Sequence, residues 1–136
     1  MSGVAITRAL LVANSALIAQ VPSARIFSGV VPQATVLPAI SVMEVVSTEV
    51  PTIDATAPTT IVDSRVQVTV IASTYPNAKT VHALARKACN YQRGTLAGYS
   101  VISVRRVNNG PDFTDPEAQI CIQSIDFSVL YHEPNT

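Results

Sequence analysis

The sequence predicts an α+β fold in αββαββ order, with a four-stranded, mainly antiparallel sheet and two helices packed on one of its faces. Three observations predict it: helical periodicity over residues 3–20 and after Pro76, four strand-like runs, and apolar stripes that one shared layer would bury. The 136 residues fit one domain, 1–136, large enough for its own core without metals or disulfides.

Residues 3–20 place Ile6, Leu10, Ala13 and Leu17 on one helical face, with Thr7, Arg8, Asn14 and Ser15 on a narrow opposite stripe. The start resembles a secretory leader, with Arg8 before an apolar run and small residues near Ala24. Asn14 and Ser15 split that run, which also falls short of the roughly 20 apolar residues needed to cross a membrane. It is therefore read as a soluble, core-facing helix.

"RIFSGVVPQATVLP" follows, broken by Gly29, Pro32 and Pro38, and reads as an extended connector. "AISVMEVVS", residues 39–47, and "IVDSRVQVTVIA", residues 61–72, read as strands; in the second, Val66, Val68 and Val70 alternate with Arg65, Gln67 and Thr69. Between them "TEVPTIDATAPTT", residues 48–60, is too long for a tight hairpin turn.

The second helix starts at Pro76, capped by Thr74 and ended by Gly94. It sets Ala78, Val81, Leu84, Ala85 and Ala88 against Lys79, Arg86 and Lys87. Two further strands, residues 99–107 and 118–132, flank the loop "NNGPDFTDPE". In the last strand the apolar parity changes after Ile122, which predicts a bulge near Gln123.

Residue chemistry argues against an enzyme. Acid–base or nucleophilic catalysis needs a base within hydrogen-bond reach, and the chain holds only His82 and His132. His82 and Cys89 lie seven residues apart on one helix, about 10 Å of rise, too far for contact. His132 reads as the solvated end of a strand.

No residues lie at metal-ligand spacing, so neither metal nor cofactor is expected. "DFTDPE" is similar to a calcium loop, yet lacks the EF-hand spacing and is explained by turn formation. The turn "ASTYPN" has no glycine and cannot cradle phosphate closely. Cys89 and Cys121 read as buried small hydrophobes of a reducing compartment, with one disulfide as the alternative.

Charge and hydropathy point to surfaces instead. Apolar residues make up 48% and charged residues 13%, well below the about one quarter usual for soluble domains, so some apolar surface is expected to meet a partner. Net charge is zero but segregated. Between Ser64 and Pro111 lie Arg65, Lys79, Arg86, Lys87, Arg93, Arg105 and Arg106 with no acid; the rest has two bases against nine acids.

Opposed charges of this kind suit head-to-tail docking of copies, and rings where the rotation closes. The competing readings are DNA binding by the basic half, disfavoured by 5% aromatics and no known motif, and solvated faces with no partner.

The connector "RIFSGVVPQATVLPAISV", the junction "RVQVTVIASTYPNAKTVHALARKA", and "SVISVRRVNNGPDF" with "CIQSIDFSVLYHE" together resemble the tail-completion, or tail-terminator, family of long-tailed bacteriophages, over roughly residues 8–133. The resemblance implies a non-enzymatic virion protein of the neck, assembled in the host cytoplasm. It would form a hexameric ring that caps the head-proximal end of the tail tube and joins it to the head connector. Its partners would be copies of itself, the tube protein and the connector or stopper protein, with DNA passing through the lumen unread and no membrane contact.

A head-closure or adaptor ring of the same neck is the alternative, with a DNA-binding accessory protein or a small enzyme further off. The matched pattern marks fold positions rather than an interface. The expected contact residues are therefore Val50, Ile53 and Asp54 on the long loop, as an arm, and Lys79, Arg86, Lys87, Arg105 and Arg106 from the basic segment.

Overall fold

The computed structural model describes residues 2–32, 35–49, 59–110, 112–117 and 119–134. The alternation along residues 61–72 becomes its central feature. β3, Thr59–Ala72, buries Val62, Ser64, Val66, Val68, Val70 and Ala72 on one face. It runs antiparallel to β7, Ile120–Pro134, in unbroken register from Thr59 opposite Pro134 to Ala72 opposite Cys121.

The sheet has seven strands, which corrects the expected four. β2, Ala39–Glu49, pairs antiparallel with β3, and β1, Ile26–Ser28, adds in parallel beyond it. On the other side β5, Tyr99–Asn109, pairs with β7, and β4, Gln92–Leu96, forms the far edge. β6, Phe113–Asp115, pairs with the start of β7. The order is β1-β2-β3-β7-β5-β4.

The three additional strands are short and lie at edges; β1 buries only Ile26, and backbone pairing holds the rest. β4 and β6 are largely exposed, and three to five residues carry too little period-2 alternation to be read. β4 and β5 are joined through Ala97 and Gly98, both at positive φ (51° and 82°), as a two-residue hairpin turn requires.

The helices also depart from the expected pair. Residues 3–20 form α1, Ser2–Ala13, and α2, Ser15–Gln20, because Asn14 takes an extended backbone and its side chain accepts the Leu17 N–H at 2.9 Å. A 3-10 turn, Ser23–Arg25, follows. Arg8 ties it down, donating to the Ile26 and Ser23 carbonyls at 3.1 and 3.3 Å.

α1 lies close on the sheet at Gly3, where a Cβ would stand 2.8 Å from Ser64 Cβ. α3, Tyr75–Cys89, is capped by Thr74, whose hydroxyl accepts the Asn77 N–H at 3.4 Å. It ends at Cys89 with Asn90 as cap, five residues before the expected Gly94, which lies within β4. α1 and α3 pack against each other and against the inner face of the sheet.

Between helices and sheet lie Ile6, Leu11, Leu17, Ile40, Ile125, Phe127 and Tyr131, each fully buried. Burial stabilises by about 1.5–3 kcal/mol for each large apolar side chain. Tyr99 meets Tyr131 edge to face, with centroids 5.7 Å apart.

The bulge expected near Gln123 is absent. Gln123 is buried on the same parity as Ile125, Phe127, Val129 and Tyr131, while Ile120 and Ile122 occupy the other face, half-buried. The register shifts fall instead on β2, β4 and β5, so the central β3–β7 pair stays regular.

The outer face of the sheet carries polar pairs. Arg65 meets Asp126 at 2.7 Å, and Ser128 donates to Asp63 at 2.6 Å. No helix among the described residues is long and apolar enough to cross a membrane.

Candidate functional site

The basic residues fall in one stretch of the sequence, and the α3-β4-β5 unit carries most of them. Arg86 and Lys87 occupy the last turn of α3, and Arg106 reaches them from β5. With Ala83, Leu84, Asn90 and Tyr91 they line an open cleft of about 820 Å³. No acid lines it. Asn90 braces it, its side-chain oxygen accepting the Arg106 backbone N–H at 3.0 Å.

Tyr91 was not singled out by the sequence. It turns the chain from α3 into β4 at φ 59° and its side chain stands 84% exposed. A bulky residue rarely holds this left-handed conformation. Tyr91 also lines the adjoining groove with Arg93, Ile102 and Arg105. Its signal in the sequence is weak: an aromatic just past a helix end, flanked by bases.

The other predicted residues separate. Arg105 and Arg106 are neighbours on β5 and face opposite ways: Arg105 lies across from Ser128 on the outer face, Arg106 across from Phe127 on the inner. Lys79, at the start of α3, meets Asp112 at 3.3 Å and sits 5.2 Å from the Tyr75 ring centre, while Tyr75 donates to Asp112 at 2.7 Å. Hydrogen bonding to Tyr75 and then to Asp112 raises the Lys79 amine above its ordinary value. The Asp112 carboxyl is lowered, chiefly by Tyr75. Val50, Ile53 and Asp54 lie outside the described residues.

The reactive side chains stand apart from one another. Cys89 is buried, its Sγ 4.0 Å from the Thr7 carbonyl, and burial pushes its thiol up to about 12; it is protonated at neutral pH and a poor nucleophile. Both cysteines are free thiols. His82 is half-buried, and that burial lowers its pKa. His132 Nδ1 lies 3.4 Å from the Thr59 hydroxyl. In the 112–117 loop, Asp115 accepts the Glu117 N–H at 3.1 Å, a turn-forming bond. Among the described residues, no three of His, Cys, Asp or Glu cluster as metal ligands would.

A cleft of this kind suits recognition of an acidic surface. Guanidinium groups offer bidentate hydrogen bonds to carboxylates or phosphates, and an exposed ring adds apolar contact.

Comparison with known proteins bears on the whole chain. A family model described as "Tail completion protein gp17" matches residues 5–132. A chain of the solved structure described as "Virion of native gene transfer agent (GTA) particle" superposes with a TM-score of 0.66, covering 97% of each chain at 17% identity. At that identity the likeness is one of fold. No curated protein matches.

Proposed function

The chain belongs to the tail completion protein gp17 family, and from that premise we propose that it is a structural protein of a phage virion that completes the tail at its head-proximal end. Copies assemble into a ring, of six, on the end of the tail tube. One face stops tube growth, the other meets the head connector, and DNA passes through the lumen without base readout.

The observation that carries this reading is the reach of the family match, from α1 nearly to the end of β7. The surface chemistry supports it: a cleft rich in bases, with no acid among its described lining residues, lies on a chain of zero net charge. Charge segregation of this kind steers copies together and sets their register.

Deleting the gene from its source phage or prophage and imaging the lysate by negative-stain electron microscopy tests the role. Filled heads beside separate tails, or tubes of uncontrolled length, support a tail terminator. Headless tails of normal length with a capped tube move the protein to a head-side adaptor. Normal infectious particles refute the neck role.

A further inference from the structure

The chain has nine bases, and four are spent within the fold. Arg8 and Arg25 hold backbone carbonyls around the connector, Arg65 pairs with Asp126, and Lys79 pairs with Asp112. The other five, Arg86, Lys87, Arg93, Arg105 and Arg106, are exposed and make no ion pair among the described residues. All five border the cleft or groove that Tyr91 separates.

Favourable interaction with the helix dipole accounts for Arg86 and Lys87 in the last turn of α3. It does not account for Arg93, Arg105 or Arg106 on β4 and β5, nor for a tyrosine ring held in solvent on a left-handed backbone.

The opposite end of α3 has the complementary character. Asp112, Asp115 and Glu117 lie in one short segment around β6, with Phe113 57% exposed between them and Tyr75 46% exposed beside them. Asp112 is bonded to Tyr75 and Lys79 in the first turns of α3, whereas Arg86 and Lys87 are in the last. From Lys79, which holds Asp112, α3 rises about 10–12 Å to Arg86 and Lys87. Tied to Tyr75 and Lys79, the segment stays at its own end of the helix, and among the described residues no acid of the same chain lines the cleft; the segment of a second copy can enter it.

We propose that the cleft of Arg86, Lys87, Tyr91 and Arg106 receives the Asp112–Glu117 segment of a neighbouring copy. This contact rests on the self-assembly reading above and gives it a location. Tyr91 and Phe113 are covered together, and the carboxylates of Asp115 and Glu117 enter a site that no acid of its own chain occupies among the described residues, while Asp112 stays on Lys79 and Tyr75. Being heterologous, the contact repeats head to tail and ends only where the ring closes.

Three variants test it by sedimentation velocity at low ionic strength. Lys87→Glu with Arg106→Glu disables the cleft, and Phe113→Ser with Glu117→Arg disables the segment. Tyr91→Gly removes the ring while suiting the left-handed backbone, so it holds or raises the melting temperature. The expected results are an assembled wild type, two monomeric double variants, and a dimer and nothing larger when those two are mixed, since each brings one intact half. Tyr91→Gly weakens association at least tenfold with no loss of thermal stability.

A cleft variant that assembles as wild type does, or a mixture that stays monomeric, overturns the contact while leaving the neck role standing. So does a cleft variant that assembles normally but loses retention on duplex DNA at low salt, which assigns the bases to phosphate instead. A wild type that remains monomeric alone and with tube protein overturns both the ring and this contact.

Discussion

Gly3→Ala is an unusual case of a helix-favouring change that should destabilise. The new Cβ would meet Ser64 Oγ first, and would stand 2.8 Å from Ser64 Cβ and 3.2 Å from Val66 Cγ2, where α1 rests on β3. Overpacking of this kind costs about 1–3 kcal/mol. Replacing glycine in a helix returns up to about 1 kcal/mol, and less near its first turn. The expected net loss is about 1–2 kcal/mol.

Ser64→Gly alone loses the 2.7 Å hydrogen bond from Ser64 to Glu44, about 1 kcal/mol, and places glycine in a strand at about 0.5–1 kcal/mol more. The double variant is the decisive one, because without a Cβ at 64 the alanine at 3 has room. Its stability should exceed the additive sum by at least about 1 kcal/mol, whereas Ser64→Ala, which removes the nearer clash at Oγ but keeps the Cβ, should rescue only part of it. Urea titration at a concentration and salt that keep the protein monomeric gives the value for wild type and each variant. Additivity of Gly3→Ala and Ser64→Gly within about 0.5 kcal/mol would refute the close approach of α1 to β3.

Other outcomes follow from burial. Cys89 should resist thiol reagents in the native state at pH 8 and react once unfolded. Its thiol ionises in the unfolded chain near the ordinary value of 9 and in the folded chain at about 12, so stability should fall as pH rises through that interval, by up to about 1.4 kcal/mol per pH unit. Cys89→Ala should flatten the slope, and an unchanged profile would contradict it.

His82 runs the other way: its pKa is lowered from 6.5 in the fold, so protonation favours the unfolded chain and stability falls as pH drops below 6.5, a dependence that His82→Gln should remove. Arg65→Ala leaves the buried Asp126 without its partner. The loss should be about 1–2 kcal/mol, short of the 3–5 of a fully buried pair because Arg65 is 41% exposed. Chemical denaturation with Asp126→Asn as the control measures it.

Long elements with one buried face were legible because their period survives in the sequence. Val66, Val68 and Val70 mark β3, and Ala78, Val81 and Ala85 mark α3; each buries the residues its pattern names. Ile26–Ser28, Gln92–Leu96 and Phe113–Asp115 have no such pattern, since their place in the sheet depends on a distant strand to pair with. Asn14 shows a local contest lost by periodicity: one side-chain cap divided a helix whose apolar stripe ran through it. At Gln123 a polar residue on the buried parity imitated a bulge.

For the candidate site, the sequence by itself determined that positive charge concentrates between residues 65 and 106, because formal charge needs no fold. Only the tertiary structure decided which charges remain available. It sent Arg105 and Arg106 to opposite faces by strand parity, spent Lys79 on Asp112 and Arg65 on Asp126, and gathered Arg86, Lys87 and Arg106 around Tyr91. The reason is physical: charge is a property of a residue, but pairing and exposure belong to the space between elements, and that space exists only once the sheet has closed under its helices.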